Sequence, residues 1–324
     1  MILIVSHPDD VHARAVIAEI AGAGGSARIL NLSDFPCRAH LTMTMDGVAD
    51  PALSMRWPDD GETLDFDAVG AVWWRRPQPF RLHPELADPG YGSFAAGECG
   101  DAIAGLWHLL DAEWINPPLW DERAHRKPLQ LKLARECGLT VPATCMTSDP
   151  DAAAAFIAQH AGQALIYKAF GGTEADWRET RLLRPEQTGD LSAFRFAPLI
   201  LQAFVPARYD VRLTIVGEEL FAAAIHSQQS RYPLDFRMDV LNTAITPIDV
   251  PEEVRTAMMA LMRTLRIVYG AADFRVTDND EWVFLEVNPA GQWLFVEDAT
   301  GQPIARALAH RLIEADRTTQ SPRA

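Results

Sequence analysis

One string of residues in the chain could bind a hard metal ion. Glu286-Val287-Asn288-Pro289 lies thirteen residues beyond Asp273. In an extended strand, positions i and i+2 share a face, so Glu286 and Asn288 would offer two oxygen ligands side by side, with Asp273 on a neighbouring strand as a third. Oxygen donors suit magnesium, which keeps part of its water shell and takes remaining ligands from phosphate. Solvated acids on a sheet surface would show the same residue types, but Val283-Phe284-Leu285 and Val287 make the setting too apolar for an unpartnered Glu286. A second group is cationic and contains Lys127 and Lys168. Lys168 ends the apolar run Ala164-Leu165-Ile166-Tyr167 and precedes Ala169-Phe170-Gly171-Gly172, which would aim an ammonium at an anion beside a glycine turn. Arg212 and Arg237 are likewise flanked by apolar residues. A lone strand-end lysine is usually only solvated. Four cations converging on three oxygen ligands would instead make a triphosphate site.

Other motifs are incomplete. His7-Pro8-Asp9-Asp10 resembles the metal-binding signature of zinc N-acetylglucosaminyl deacetylases, but that family also needs a later His-x-x-His pair. None of the nine histidines has another three residues on, and Val11 follows Asp10. Gly22-Ala23-Gly24-Gly25 is not the G-x-G-x-x-G of a dinucleotide site. Neither G-x-S-x-G nor a Walker A string is present. Cys37, Cys99, Cys137 and Cys145 form no C-x-x-C, so reduced thiols are expected, with no zinc site and no local support for a nucleophilic cysteine.

The elements that must position these residues fall into two styles. Ile2–Val5 reads as a buried parallel strand, followed by a helix from Val11 to the Gly22–Gly25 breaker and a strand at Ala27–Leu32, a βαβ unit. A strand Val69–Trp74, a helix Phe94–Leu110 and a short strand Trp114–Ile115 follow, up to Asn116-Pro117-Pro118. Beyond a helix at Arg123–Cys137 the pattern changes. It gives a helix Pro150–Ala161 and strands Ala164–Ala169, Glu179–Leu183 and Pro198–Val205. The strands Asp210–Val216, Leu220–His226, Ala271–Val276 and Trp282–Val287 then alternate as in an antiparallel sheet with one buried face. Helices are expected at Pro251–Arg266 and Pro303–Ala315, with a frayed tail from Asp316.

Composition sets the outer bounds. With 324 residues, 48% hydrophobic and 23% charged, the chain is a folded globular protein of two or three domains. A net charge of −15 disfavours a nucleic-acid partner, because phosphate-backbone binding needs clustered Lys and Arg. The opening Met1–Ser6 lacks the basic flank of a signal peptide, and no run of apolar residues could span a membrane, so cytoplasm is the expected location.

Taken together these residues resemble an ATP-grasp ligase, and more closely the maturases of microviridin-type ribosomal peptides, the graspetide macrocyclases. The resemblance runs through the first strand and its His7–Asp10 loop, Trp73-Trp74-Arg75-Arg76-Pro77, Ile115–Pro118, Arg126–Thr144 and Leu199–Gly217. It is most specific in Gly270–Ile304, which contains Glu286-Val287-Asn288-Pro289-Ala290-Gly291-Gln292-Trp293. It implies an α/β chain with α+β character in its C-terminal part: an ATP-grasp fold behind a Rossmann-like pre-ATP-grasp domain. The implied divisions are 1–117, a lid subdomain 118–200 and a C-terminal subdomain 201–324. By the same resemblance Lys127 and Lys168 would bind ATP phosphates, and Gln202, Ala203, Phe204 and Val205 would hold adenine through backbone groups. Arg212 and Arg237 would steady the γ-phosphate and the acyl phosphate, while Asp273, Glu286 and Asn288 would hold Mg2+. Asn288 would thereby also belong to the ATP site. Two departures stand out: Ala169–Thr180 is a short version of the glycine-containing loop that covers phosphates, and Phe236 stands where the maturases more often carry Trp.

The implied reaction activates a carboxylate as an acyl phosphate, which an amine or hydroxyl captures. In the maturases both groups belong to a precursor peptide, the expected partner here, and a homodimer is compatible with the sequence. The alternatives are an ATP-grasp ligase that joins small molecules, such as an amino acid to a peptide or polyamine, and an ATP-binding module that recognises a peptide without ligating it. Arg75 and Arg76 follow an apolar strand, and strand ends of α/β sheets meet ligands. One of the two is expected to reach the cleft beside the grasp domain and pair with an acidic group of the substrate.

Overall fold

The computed structural model describes residues 1–48, 50–171, 179–229, 232 and 234–320. They pack as two compact units, one of residues 1–121 with 303–320 and one of the described residues within 122–302.

The first unit opens with β1 (Ile2–Val5), α1 (Val11–Gly22) and β2 (Ala27–Leu30). It continues with β3 (His40–Thr44), β4 (Ala52–Trp57), β5 (Glu62–Asp65), β6 (Ala71–Trp74), α2 (Pro89–Leu109) and β7 (Glu113–Ile115). Strands β2-β1-β6-β7 form a parallel sheet in that order, as the βαβ pattern requires. Alternation along the strands gives each face its own core. Leu3, Val5, Val72 and Trp74 join Cys99, Ile103, Leu106 and Trp107 of α2, while Ile2, Ile4 and Trp73 are buried on the opposite face. Both tryptophans are therefore packing residues. The antiparallel sheet β3-β4-β5 has no counterpart in the sequence reading, although Leu53, Met55 and Trp57 alternate inward ahead of a turn closed by Gly61 at φ 69°.

The loop after β1 has a structural role. Asp10 caps α1 through the backbone N–H of His12, 2.9 Å away, accepts from the Ser6 hydroxyl at 2.7 Å and from Arg75 Nε at 3.1 Å. Arg75 is fully buried, and its guanidinium lies 5.6 Å from the Trp73 ring. Burial pushes the Asp10 carboxyl up, but Arg75 and Ser6 outweigh it and hold it below the usual range. Arg75 thus belongs to an internal ion pair, and Arg76 is half-buried beside it. We expect Arg75→Gln to cost about 3 kcal/mol in calorimetric stability, since it strands a buried carboxylate. An unchanged Tm together with lost turnover would return Arg75 to a substrate role.

The second unit is antiparallel throughout its sheets. The short α3 (Pro118–Ala124) leads to α4 (Lys127–Glu136), and β8 (Thr144–Thr147), α5 (Pro150–Gln159), β9 (Leu165–Lys168), β10 (Arg181–Leu182) and β11 (Leu199–Ala203) follow. These strands are ordered β10-β9-β11-β8, and Ala153, Phe156 and Ile157 of α5 pack with Leu199 and Leu201. The larger sheet contains β12 (Tyr209–Val216), β13 (Glu219–Ile225) and β14 (Ile245–Pro247). After α6 (Glu252–Leu265) it is completed by β15 (Tyr269–Val276) and β16 (Trp282–Asn288), in the order β14-β13-β12-β15-β16. Val254, Ala257, Met258, Leu261 and Leu265 give α6 its buried stripe. The short α7 (Leu294–Thr300) was not anticipated from the sequence.

The closing helix α8 (Ile304–Gln320) returns to the first unit and packs on α1, β1, β6 and β7. It corrects the expectation of a frayed tail from Asp316, because Asp316 Oδ1 accepts a 2.8 Å hydrogen bond from the N-terminal amine and the helix continues through Gln320. Residues 321–324 of that expectation lie outside the described residues. No helix among the described residues is long and apolar enough to cross a membrane, and all four cysteines are free.

Candidate functional site

The site grows from three Asp-x-Arg triplets. Asp210-Val211-Arg212 on β12 and Asp273-Phe274-Arg275 on β15 run antiparallel, with Asp210 opposite Arg275 and Arg212 opposite Asp273. Two crossed ion pairs result on one face, because residues two apart share a side of the strand. The first is closed and buried. Arg275 Nε lies 2.9 Å from Asp210 Oδ1, Ser227 donates to the other Asp210 oxygen, and Arg275 also reaches the Val205 carbonyl at 2.8 Å.

The second pair is open. Arg212 Nε and Asp273 Oδ1 are 3.1 Å apart, yet neither atom makes an aligned hydrogen bond among the described residues. Arg212 also lies against two neighbouring rings, 5.6 Å from Phe236 and 5.7 Å from Phe295. The third triplet supplies that ring. In Asp235-Phe236-Arg237, Asp235 grips Arg237 through two bonds of 2.7 and 2.6 Å, and Phe236 projects toward Arg212. The departure from Trp noted in the sequence therefore leaves an aromatic surface against Arg212.

On the next strand, Glu286 is opposite Asp273 and Asn288 is opposite Ala271, with a bulge between Asp273 and Phe274. Lys127, the first residue of α4, donates to Glu286. Asn288 is exposed, and its Oδ1 accepts from Ala290 N at 2.9 Å. A cavity of about 340 Å³ is lined by Lys127, Lys168, Arg237, Asp273, Glu286 and Asn288, together with His125, Gln130, Asp210, Asp235 and Arg275. Arg212 stands behind Asp273 and is not part of the lining, and neither are Gln202, Ala203, Phe204 and Val205. Gln202 is tied to Thr144 at 2.9 Å, and the N–H groups of Ala203 and Phe204 are taken by the Ala143 and Ala164 carbonyls. Of the loop expected to cover phosphates, residues 172–178 lie outside the described residues.

Charge is crowded in this cavity. Burial, then the neighbouring Glu286, raise the Asp273 carboxyl to about 6 against the pull of Arg212 and Arg237. Burial also pushes Glu286 up, but Lys127, Lys168 and Arg237 more than reverse it and bring it to about 2. Burial lowers the Lys168 ammonium, and Lys127 and Arg237 add to that. Asp273 and Glu286 face Lys127, Lys168 and Arg237 in this cavity, with Lys127 in contact with Glu286. A divalent ion would relieve the carboxylate pair, and an anion would relieve the cations.

The donor set fits magnesium. No three His, Cys, Asp or Glu side chains cluster as a metal site among the described residues. Two carboxylates and one amide oxygen leave coordination positions for water and phosphate, as Mg2+ prefers. The orphaned Asp273 oxygen is such a donor.

The sequence reading missed Asp210, Asp235, Arg275 and Gln130. The repeated Asp-x-Arg spacing was a usable signal for the first three, since two such triplets on adjacent antiparallel strands pair crosswise. Gln130 had no signal, because its role depends on which strand the helix meets.

Residues 1–121 match the family model of the MvdD pre-ATP grasp domain. The structure is similar to macrocyclase MdnC bound with precursor peptide MdnA from Microcystis aeruginosa MRC, with a TM-score of 0.85 and 28% identity over 97% of this chain and 99% of that one. It is equally similar to a Chryseobacterium gregarium RiPP-associated ATP-grasp ligase in complex with ADP and a leader and core peptide, with a TM-score of 0.85 and 26% identity over 97% of this chain and 96% of that one. A probable alpha-L-glutamate ligase of Enterobacter sp. (strain 638) is 25% identical over 211 residues, 64% of this chain and 69% of that protein.

Proposed function

We propose that this chain, an ATP-grasp ligase with a pre-ATP-grasp domain, macrocyclises a ribosomally made precursor peptide by side-chain ester or amide bonds. The observation that carries the reading is the full-length likeness to a macrocyclase bound with its precursor peptide, extending over 97% of this chain. The cavity chemistry supports it: cations for phosphates and carboxylates for a divalent ion, both within one unit.

In this reading Lys127 and Lys168 hold ATP phosphates. Arg237, fixed by Asp235, meets the carboxylate being activated, while Arg212, packed against Phe236 and Phe295, offsets charge on the transferred phosphoryl group. Asp273, Glu286 and Asn288 would hold Mg2+, which neutralises phosphate charge when bound. The adenine contacts assigned to Gln202–Val205 would come from backbone groups of that segment other than the N–H groups of Ala203 and Phe204 and the Val205 carbonyl, which are already bonded. A peptide Asp or Glu oxygen attacks the γ-phosphorus, and the bond to ADP breaks. A Thr or Ser hydroxyl or a Lys amine then attacks the acyl carbon, expelling phosphate and losing its proton. Residues 118–200 act as the lid and residues 201–302 as the C-terminal part, α8 belonging to the first unit and not to the expected 201–324 subdomain; Arg76 is the substrate contact of the arginine pair, and the enzyme works in the cytoplasm.

The likeness to a glutamate ligase favours a second reading, in which an amino acid is joined to an acceptor. Retention of both lysines and all three proposed metal ligands argues against a binding module without ligase activity. Mass spectrometry of a candidate peptide, encoded beside this chain and rich in Thr and Asp or Glu, decides between the two ligations. Loss of one water per ring with ADP formation supports macrocyclisation, and a gain of one amino-acid residue per event supports the alternative. ATP consumption with neither product would overturn both.

A further inference from the structure

Strand β16 is the outer strand of its sheet, and the outward row of its backbone groups meets no strand among the described residues, only a single bridge at Thr140, whose carbonyl accepts from Phe284 N at 2.8 Å. At Val287 that row is filled by a side chain. Gln130 Oε1 accepts from Val287 N at 3.0 Å, and Gln130 Nε2 donates to Val287 O at 2.7 Å. The same amide nitrogen also donates to the Ala124 carbonyl, and Gln130 is 3% exposed. Gln130 therefore imitates a strand residue while standing on a helix.

The location gives this contact its consequence. Val287 sits between Glu286 and Asn288, and all three line the cavity. Lys127 lies one turn earlier on α4 and donates to Glu286, so the helix grips this strand end at two successive residues. An ordinary ladder would fix only the strand. A carboxamide from α4 ties the pitch of Glu286-Val287-Asn288 to the helix that also carries a cation of the site.

We propose that Gln130 is a positioning residue for the divalent-ion site, an inference that rests on Glu286 and Asn288 holding the ion. The chemistry restricts what could replace it. Methionine keeps the volume but makes neither bond to Val287. Ionised glutamate keeps the acceptor and lacks the donor.

The test measures ADP binding by calorimetry across a Mg2+ series in the full chain carrying Gln130→Met or Gln130→Glu. Leu133→Ala on the same helix is the destabilised control away from the cavity. Gln130→Met should need about tenfold more Mg2+ to reach half of the full enhancement, while ADP affinity without Mg2+ stays within about twofold. Gln130→Glu should fall between it and the parent, and amide exchange at Val287 should quicken more in Gln130→Met, which loses the acceptor, than in Gln130→Glu, which keeps it. Leu133→Ala should lower Tm without moving the Mg2+ curve. A Mg2+ curve for Gln130→Met that matches the parent or Leu133→Ala overturns the role. If Gln130→Met does not fold, Gln130→Glu decides by the same comparison. A parent protein whose ADP binding ignores Mg2+ would instead remove the ion-site reading itself, and the inference with it.

Discussion

Glu286→Gln is expected to lower ligation by at least about three orders of magnitude while the protein still folds. The substitution is nearly isosteric and removes the charge that faces Lys127 and Lys168 and that would ligate Mg2+. It also has a stability signature. The Glu286 carboxyl lies at about 2 in the folded protein against an ordinary 4.5, so its contribution is fully present above pH 4.5 and is lost as pH falls toward 2. At neutral pH the loss amounts to about 3 kcal/mol, at about 1.4 kcal/mol per pKa unit. The Tm gap between parent and variant should therefore close as the solution is acidified below pH 4.5. Full turnover by the variant would remove Glu286 from the site, and a gap indifferent to pH would remove the ion pairs.

Lys168→Met and Arg237→Ala should separate binding from chemistry. Lys168 faces the cavity beside Lys127, and its substitution should weaken ATP binding about tenfold or more in calorimetry. Because burial and like charges lower the Lys168 ammonium, ATP affinity of the parent should also fall as pH rises toward that lowered value. Arg237 is different. It is 42% exposed at the side chain and gripped by Asp235, an arrangement that aims the guanidinium without closing it off. Arg237→Ala should bind ATP within about threefold of the parent and lose about 10²- to 10³-fold in kcat. Arg237→Lys should remain impaired, since lysine cannot reproduce the two-point grip of Asp235. Equal losses of ATP affinity in the lysine and arginine variants would contradict this division of labour.

The ligand types were legible because they depend on local rules. Strand alternation alone places Glu286 and Asn288 together, and the apolar run before Lys168 marks it as a strand end. The parallel strands of the first unit were legible for the same reason: continuous apolar runs separated by a helical period have few other solutions. The arginine pair at 75–76 was not. Adjacent residues point opposite ways, but which of them meets the protein interior depends on Asp10, sixty-five positions earlier in the chain.

Residues close in the chain therefore fix the alternation, the chemistry of the donors and the resemblance that groups them. The pairings come from packing alone. The β12–β15 register separates a closed Asp210–Arg275 pair from an open Arg212–Asp273 pair, although both come from the same two triplets. The docking of α4 on the outer strand turns Gln130 from an ordinary helix residue into a partner of Val287. The return of α8 gives Asp316 the N-terminal amine. In each case the free energy of a polar side chain depends on which distant group satisfies it once water is excluded, and that partner is supplied by packing rather than by neighbours in sequence.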